Sequence, residues 1–480
     1  MKRNVKIKSL IAILVLFALT PLAITPSSAM TMPQTYWPGS PASGAEIQKD
    51  SGIVVEKQTV RFDLGSFPAY NDTTKIGEYA GCVTTEYTLF NPTEQEITLK
   101  MAIPHGGKPS YYYDVTTAID TPTPSITIDG TVADVTVRHR LWYDISDPRE
   151  SFFSGISDEY LSTDYCNPDT TVTKYTFKQS GVELQYSYAA FDLDPKLFEG
   201  VSCVYIESNS RSWLQDNGKT RINIPVGKNG WSFDVYVIGK DFENFPKWTI
   251  YEDGAVNDGD EIAGAIGLVN KETFLLSDFI FSLRDTESKI SRVDWFNMAA
   301  REISATMKSG NAHTTLSSME NNITSGSVYE ITVGAGKRVV NTISTTVYPT
   351  VEERFNPPVF EYTYCLPFET LLLIGGAIDV TVNTPFYIIE SSSEFTKTES
   401  GYTMSLQGTQ DGEYGMTQVN SLIQFSLCES ESPEEVKNDV PVLFWGLLIL
   451  AIPIIIIVAI IEFVGDIVVW AVEGIKGLFT

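Results

Sequence analysis

Apolar and polar residues alternate with a period of two along most of this chain, and that alternation predicts strands. In CVTTEYTLFN (82–91), Val83, Thr85, Tyr87 and Leu89 fall on one face. After the polar turn NPTEQE, the run EITLKMAIP sets Ile97, Leu99, Met101 and Ile103 on one face in the same way. Two such runs joined by a short turn predict a β-hairpin, with Pro92 in the turn where its missing donor disturbs no ladder. SITIDGTVADVTV repeats the pattern: Ile126 and Ile128 lead into Asp129-Gly130, a strong two-residue turn signal, before Val132. Further strand-like runs lie at TVTKYTFK, VELQYSYAAF, VSCVYIES, TRINIPV and WSFDVYVIG. Many short strands broken by turn signals favour a β-sandwich over a parallel sheet. They mark a first β-sandwich-like region at 50–245.

The period then changes. Ser291-Arg292-Val293-Asp294 has the form of a capping box, and Val293, Phe296, Ala299, Ala300, Ile303 and Met307 share an arc of about 120° before Gly310. A helix over 292–308 is predicted, inside a connecting region at 246–325, with its apolar face packed on a core. After a polar loop, SVYEITVGAGKRVVNTISTTVYP, FEYTYCLPF, GAIDVTVNTPFYIIE, GYTMSLQG and SLIQFSLCE resume the strand pattern and mark a second β-sandwich-like region at 326–428. The expected fold class is mainly β, with two Ig-like sandwich regions separated by one amphipathic helix.

Two longer apolar runs place the chain. Residues 440–461 hold no charged side chain, and 22 residues at 1.5 Å each span about 33 Å, the thickness of a bilayer's hydrocarbon. This predicts a transmembrane helix, kinked at Pro453, reached through the acidic linker ESESPEEVKND (429–439). Leu10–Ile24 follows Lys2, Arg3, Lys6 and Lys8 and precedes Ser27 and Ala29 at a small-x-small spacing, which reads as a signal peptide over 1–29. The expectation is a single-pass cell-membrane protein with a large extracellular N-terminal region. Beyond the span, Glu462, Asp466 and Glu473 fall on one stripe of an apolar tail (462–480) and are candidate contacts for a cationic partner protein.

Charge and chemistry narrow the picture further. A formal charge of −26 disfavours nucleic acid, whose phosphates would be repelled over most of the surface. The five cysteines show no CxxC spacing, so neither a disulfide framework nor a zinc site is indicated; Cys166 with Cys203 is the disulfide candidate. His105, His139 and His313 lie in separate segments, with no HExxH helix. GISD (155–158) lacks the second glycine of a nucleophile elbow, and VGAGKR (333–338) lacks the spacing of a phosphate loop and reads as a hairpin turn. No catalytic or cofactor-binding residue is nominated. YEDGAVNDGDEIAG (251–264) offers Asp253, Asp258, Asp260 and Glu261 as hard oxygen ligands for Ca²⁺, without EF-hand spacing. YYYD (111–114) and RLWYD (140–144) hold rings able to stack on sugars or to fill a core. Asn71-Asp72-Thr73 and Asn322-Ile323-Thr324 fit the glycosylation sequon.

AGKRVVNTISTTVYP, IDVTVNTPFYIIESS and GYTMSL resemble segments of uncharacterised bacterial surface proteins with a signal peptide, a β-rich ectodomain and one C-terminal helix. The resemblance implies that architecture and lends no activity. The functional expectation is a membrane-anchored binding or interaction module at the bacterial cell surface, its partners the bilayer and a surface protein or polysaccharide. A carbohydrate-binding or carbohydrate-active module and an accessory subunit of a membrane complex are the alternatives.

Overall fold

The computed structural model describes residues within 34–435, leaving out 36–41, 66–80, 106–122, 142–150, 253–259, 368–376, 408–421 and several stretches of four residues or fewer. The leader at 1–29, the apolar segment at 440–461 and the tail with Glu462, Asp466 and Glu473 lie outside the described residues, as do YYYD and the sequon at Asn71. Among the described residues no helix is long and apolar enough to cross a membrane.

Two compact units divide the chain. The smaller takes 1–34, 351–359 and 428–480. Within it Phe355–Asn356 pairs antiparallel with Glu434–Glu435, and the Cys428 thiol donates to the Pro357 carbonyl at 3.6 Å. The larger unit, 35–350 and 360–427, is mainly β and of the sandwich class.

Its largest sheet runs in the order Thr396–Lys397, Gly401–Gln407, Ala377–Asn383, Val54–Asp63, Gly81–Phe90, Arg338–Val347, Ser125–Ile128 and Thr131–Val132. The alternation seen in the sequence sets its faces: Val83, Thr85, Tyr87 and Leu89 are buried, while Cys82 and Glu86 are exposed. Two smaller sheets lie against that buried side. One is Glu46–Ile47, Ile97–His105, Ile323–Val333 and Thr136–Leu141, and Asn341 Nδ2 reaches across to it, donating to Tyr329 Oη at 2.7 Å. The other contains Ala42–Ser43, Val359–Cys365, Leu422–Cys428 and Tyr387–Ser391. From it Tyr364 and Phe425 meet Phe62 edge to face at centroid distances of 5.8 and 5.1 Å.

Several expectations are corrected here. Gly81–Phe90 and Ile97–His105 do not form a hairpin but lie in different sheets, so the polar turn is a corner between layers. Asn91, fully buried, fastens it by donating to the carbonyls of Gln95 at 2.7 Å and Val333 at 2.9 Å and accepting the Thr93 N–H at 2.9 Å. VGAGKR is a second corner rather than a hairpin turn, and the Asn91 N–H donates to the Lys337 carbonyl at 3.1 Å, tying the two corners together. Period two says which face of a strand is buried, not which strand lies beside it. For the same reason ladders cross the expected division at 246–325: Gly81–Phe90 pairs with Arg338–Val347, and Val54–Asp63 pairs parallel with Ala377–Asn383. The Asp129-Gly130 hairpin does form, with φ of 48° and 78° as a tight two-residue turn requires.

A second sandwich lies within 166–314. A five-stranded sheet (Ala265–Leu275, Thr171–Ser180, Ser232–Gly239, Ser202–Tyr205, His313–Thr314) faces a four-stranded one (Arg211–Leu214, Thr220–Val226, Ser187–Leu193, Thr249–Tyr251). Phe177, Phe191, Ile222, Ile224, Phe233 and Val235 fill the space between, each contributing about 1.5–3 kcal/mol of burial. Against the other face of the five-stranded sheet pack a short helix, Leu276–Ser282, and the predicted long one, Arg292–Lys308. The long helix starts as expected, with Ser291 Oγ accepting the Asp294 N–H at 3.0 Å. Phe296, Ala299, Ala300, Ile303 and Met307 are buried on its apolar side. The short helix has too few turns for its periodicity to show in the sequence.

Candidate binding site

A cavity of about 340 Å³ opens on the sheet that carries Val359–Cys365 and Leu422–Cys428, lined by Glu361, Glu390, Ser391, Ser392, Gln424, Phe425 and Ser426. Alternation builds it. Phe360, Tyr362, Tyr364, Phe425 and Leu427 take the inner side, which leaves Glu361, Gln424 and Ser426 on the outer side, where Glu361 pairs with Ser426 and Thr363 with Gln424. Phe425 therefore lines the cavity with its ring turned to the core, against Phe62.

Hydrogen bonds fix the polar groups. Gln424 Nε2 donates to Glu361 Oε1. The Ser392 N–H donates to the Gln424 carbonyl at 2.8 Å, Ser392 Oγ accepts the Gln424 N–H at 3.2 Å, and Ser391 Oγ donates to the Ser393 carbonyl at 2.6 Å. The hydroxyls of Ser391 and Ser392 are thus engaged by backbone, and the charged acceptor capacity of the site lies on two carboxylates. Glu390 is exposed and has no hydrogen-bond or ion-pair partner among the described residues, and the lining holds no lysine or arginine. Such a site suits a ligand rich in donors, and above all a cation.

Groups that resemble catalytic machinery are sealed elsewhere. His105 Nε2 lies 2.8 Å from Ser327 Oγ, but Ser327 is 0% exposed and His105 8%. Burial, with His139 nearby, pushes the His105 imidazole down to about 4, so it stays neutral as a structural partner. Asp294, 1% exposed, accepts from Arg138 Nε at 3.1 Å and Nη2 at 2.8 Å and from the His139 N–H at 3.1 Å. Burial would raise its carboxyl, but the His139 imidazole and the Arg138 fork outweigh that and hold it below the usual carboxylate range. No substrate reaches a nucleophile in either cluster.

The nominated residues are not brought together. Asp260 and Glu261 are exposed, with the Glu252 N–H donating to the Asp260 carbonyl at 3.1 Å, while Asp253 and Asp258 lie outside the described residues. Among the described residues no group of three or more His, Cys, Asp or Glu side chains is set to hold a metal ion. Cys166 and Cys203 share one core but are free thiols rather than a disulfide. Cys166 Sγ instead donates to the Ala300 carbonyl at 3.2 Å and lies 2.8 Å from Ser304 Oγ, which draws it to the long helix. Sequence reasoning missed Glu361, Glu390 and Gln424. The period-two pattern of FEYTYC and SLIQFSLC does put Glu361 and Gln424 on polar faces, but nothing in it says that the two strands are neighbours.

No protein-family model and no curated protein matches the chain. A crystal structure from Legionella pneumophila, described as a "putative nutrient binding protein", is similar over 81% of this chain and 70% of that chain, at 8% identity and a TM-score of 0.32. At that level nothing about the function of this chain follows from it.

Proposed function

We propose that this chain is a non-catalytic binding module tethered at the bacterial cell surface, and that its cleft at Glu361 and Glu390 takes a cationic, hydrogen-bond-donating group. One observation carries the reading: two carboxylates border a 340 Å³ cavity without a lysine or arginine in its lining. The charge of −26 adds to it by concentrating cations near the surface. The tether rests on the apolar segment 440–461 and the leader at 1–29. Protease added to intact cells is expected to remove the β-rich region, and an untouched chain would refute the surface placement.

The cleft is tested by titration calorimetry of the purified full chain with spermine at physiological ionic strength, wild type against E361Q/E390Q. Saturable binding that weakens about tenfold in the double variant, some 1.4 kcal/mol, is the expected result. The overall charge barely changes, so equal binding by both proteins would reduce the effect to the general acidity of the chain.

A further inference from the structure

The outer face of the four-stranded sheet carries side chains that core packing does not account for. Alternation sends Phe191, Leu193, Ile222 and Ile224 inward and leaves Tyr188, Asp192, Arg221 and Asn223 outward. Register sets the outward residues in three rows: Trp213 beside Arg221 and Asp192, Arg211 beside Asn223 and Ala190, and Pro225 beside Tyr188 and Tyr251. Three aromatic side chains thus stand half-buried on the side of the sheet away from its core.

The polar groups among them are held in place. Arg221 donates from Nε and Nη2 to the Asp192 carboxylate at 2.7 and 3.0 Å, and its guanidinium lies 5.4 Å from the Tyr251 ring centroid. Ala190, 2% exposed, is the small residue between them in the register, and its size lets the two long side chains meet. Asn223 occupies the middle row at 7% exposure, and its Oδ1 has no hydrogen-bond partner among the described residues. That oxygen is closed off from the surface, so the hydroxyl-binding capacity of the face lies on Arg211. Arg211 beside it is exposed, with no ion-pair partner among the described residues.

We infer that this face binds a neutral saccharide chain. Sugar rings present apolar C–H faces, which pack on Trp213 and Tyr188, and a rim of hydroxyls, which reach the exposed Arg211. Because Arg221 and Asp192 cancel each other's charge, the face lacks the acidity of the chain as a whole, which matches an uncharged ligand better than a cation. The site is separate from the Glu361 cleft and takes a different chemistry.

The test is titration calorimetry of the purified full chain with two soluble probes, the β-1,4-linked hexasaccharides of glucose and of N-acetylglucosamine. The wild type is expected to bind at least one of them. Trp213→Ala and Tyr188→Ala are each expected to weaken that binding about tenfold, Trp213→Phe, which keeps a ring, to weaken it less than Trp213→Ala, and E361Q/E390Q to leave it unchanged. Absence of binding to both probes overturns the inference. So does binding that survives both alanine variants, or binding lost in E361Q/E390Q alone, which would move the sugar to the cleft and tell against the cationic reading of it. Trp213→Phe also guards against loss of fold: a binding loss in the alanine variant that this variant does not fully share reports on the ring.

Discussion

Asp294, in the first turn of the long helix, takes three hydrogen bonds from the Arg138 guanidinium, from Nε to both oxygens at 3.1 Å and from Nη2 at 2.8 Å, and a fourth from the backbone N–H of His139. Thr136–Leu141 is the edge strand of its sheet, so the helix covers an open ladder position with a carboxylate. Arg138 also donates to Asp158 at 2.7 Å and to the Ser157 carbonyl. The helix start, the edge strand and the segment at 157–158 are therefore one electrostatic unit. Asp294→Ala leaves a largely buried guanidinium without its main partner. It is expected to lower stability by roughly 3 kcal/mol in denaturant unfolding. A change within 0.5 kcal/mol would show that Asp158 and solvent suffice for Arg138.

That junction shows how far the sequence reaches. Ser291 and Asp294 announced the helix start, and the helix ends at Lys308 as its periodicity predicts. In a capping box the acidic side chain turns back to its own cap, whereas here it points to Arg138, 156 residues earlier. Local pattern sets what is decided locally: strand faces, the Asp129-Gly130 turn, the arc of the helix. Sheet partners depend on contacts far apart in sequence, and so the corner at Asn91 passed for a hairpin and Glu361 was not singled out. The calcium candidates shared a loop in sequence, but their two described members are exposed and form no cluster.

The corner itself makes a prediction. The Asn91 side chain accepts two hydrogen bonds, from the Thr93 N–H and from Thr93 Oγ1 at 2.7 Å, and donates two, of which the one to the Val333 carbonyl is buried. Asn91→Ala removes them together and strands the Val333 carbonyl in the core. At about 1 kcal/mol per bond, and less for the two at exposed Thr93, the loss is expected to be roughly 3 kcal/mol. Hydrogen exchange is expected to rise at the ends of both strands that meet the corner, near Leu89 and Val333. Protection unchanged from wild type at both ends would mean that the backbone alone holds the corner.

His105 sets a pH window. Its imidazole titrates near 6.5 in an unfolded chain and is pushed down to about 4 here by burial and by His139. Below 6.5 the unfolded chain binds a proton that the folded one refuses, so stability is full above 6.5 and falls as the pH drops towards 4. The complete effect is about 3 kcal/mol, of which roughly 2 kcal/mol is lost by pH 5. His313, also pushed down to about 4 by burial, acts in the same direction. Denaturant unfolding at pH 7.5 and pH 5 is expected to show a smaller difference for His105→Gln than for wild type, by about 2 kcal/mol. An identical difference in both proteins would assign the acid sensitivity to other groups.

Gly401 opens the GYTMSL segment, and two constraints fall on it together. Its φ is 147°, a conformation that L side chains rarely adopt. An added Cβ would also lie 1.9 Å from the Val382 carbonyl oxygen and 3.0 Å from the Thr384 nitrogen, both backbone atoms that no rotamer change can move aside. The position is fixed from both sides, by the pair Asn383 with Gly401 and by the Thr398 N–H donating to the Gly401 carbonyl at 2.8 Å. Gly130 separates the two costs, since its φ is 78° but an added Cβ there meets nothing within 4 Å. Gly130→Ala is expected to cost about 1 kcal/mol, the penalty of the backbone conformation alone. Gly401→Ala adds displacement of a strand and is expected to cost about 3 kcal/mol or more. Denaturant midpoints compared at constant slope measure both, and a Gly401→Ala loss no larger than that of Gly130→Ala would show that the sheet yields at Val382 at little cost.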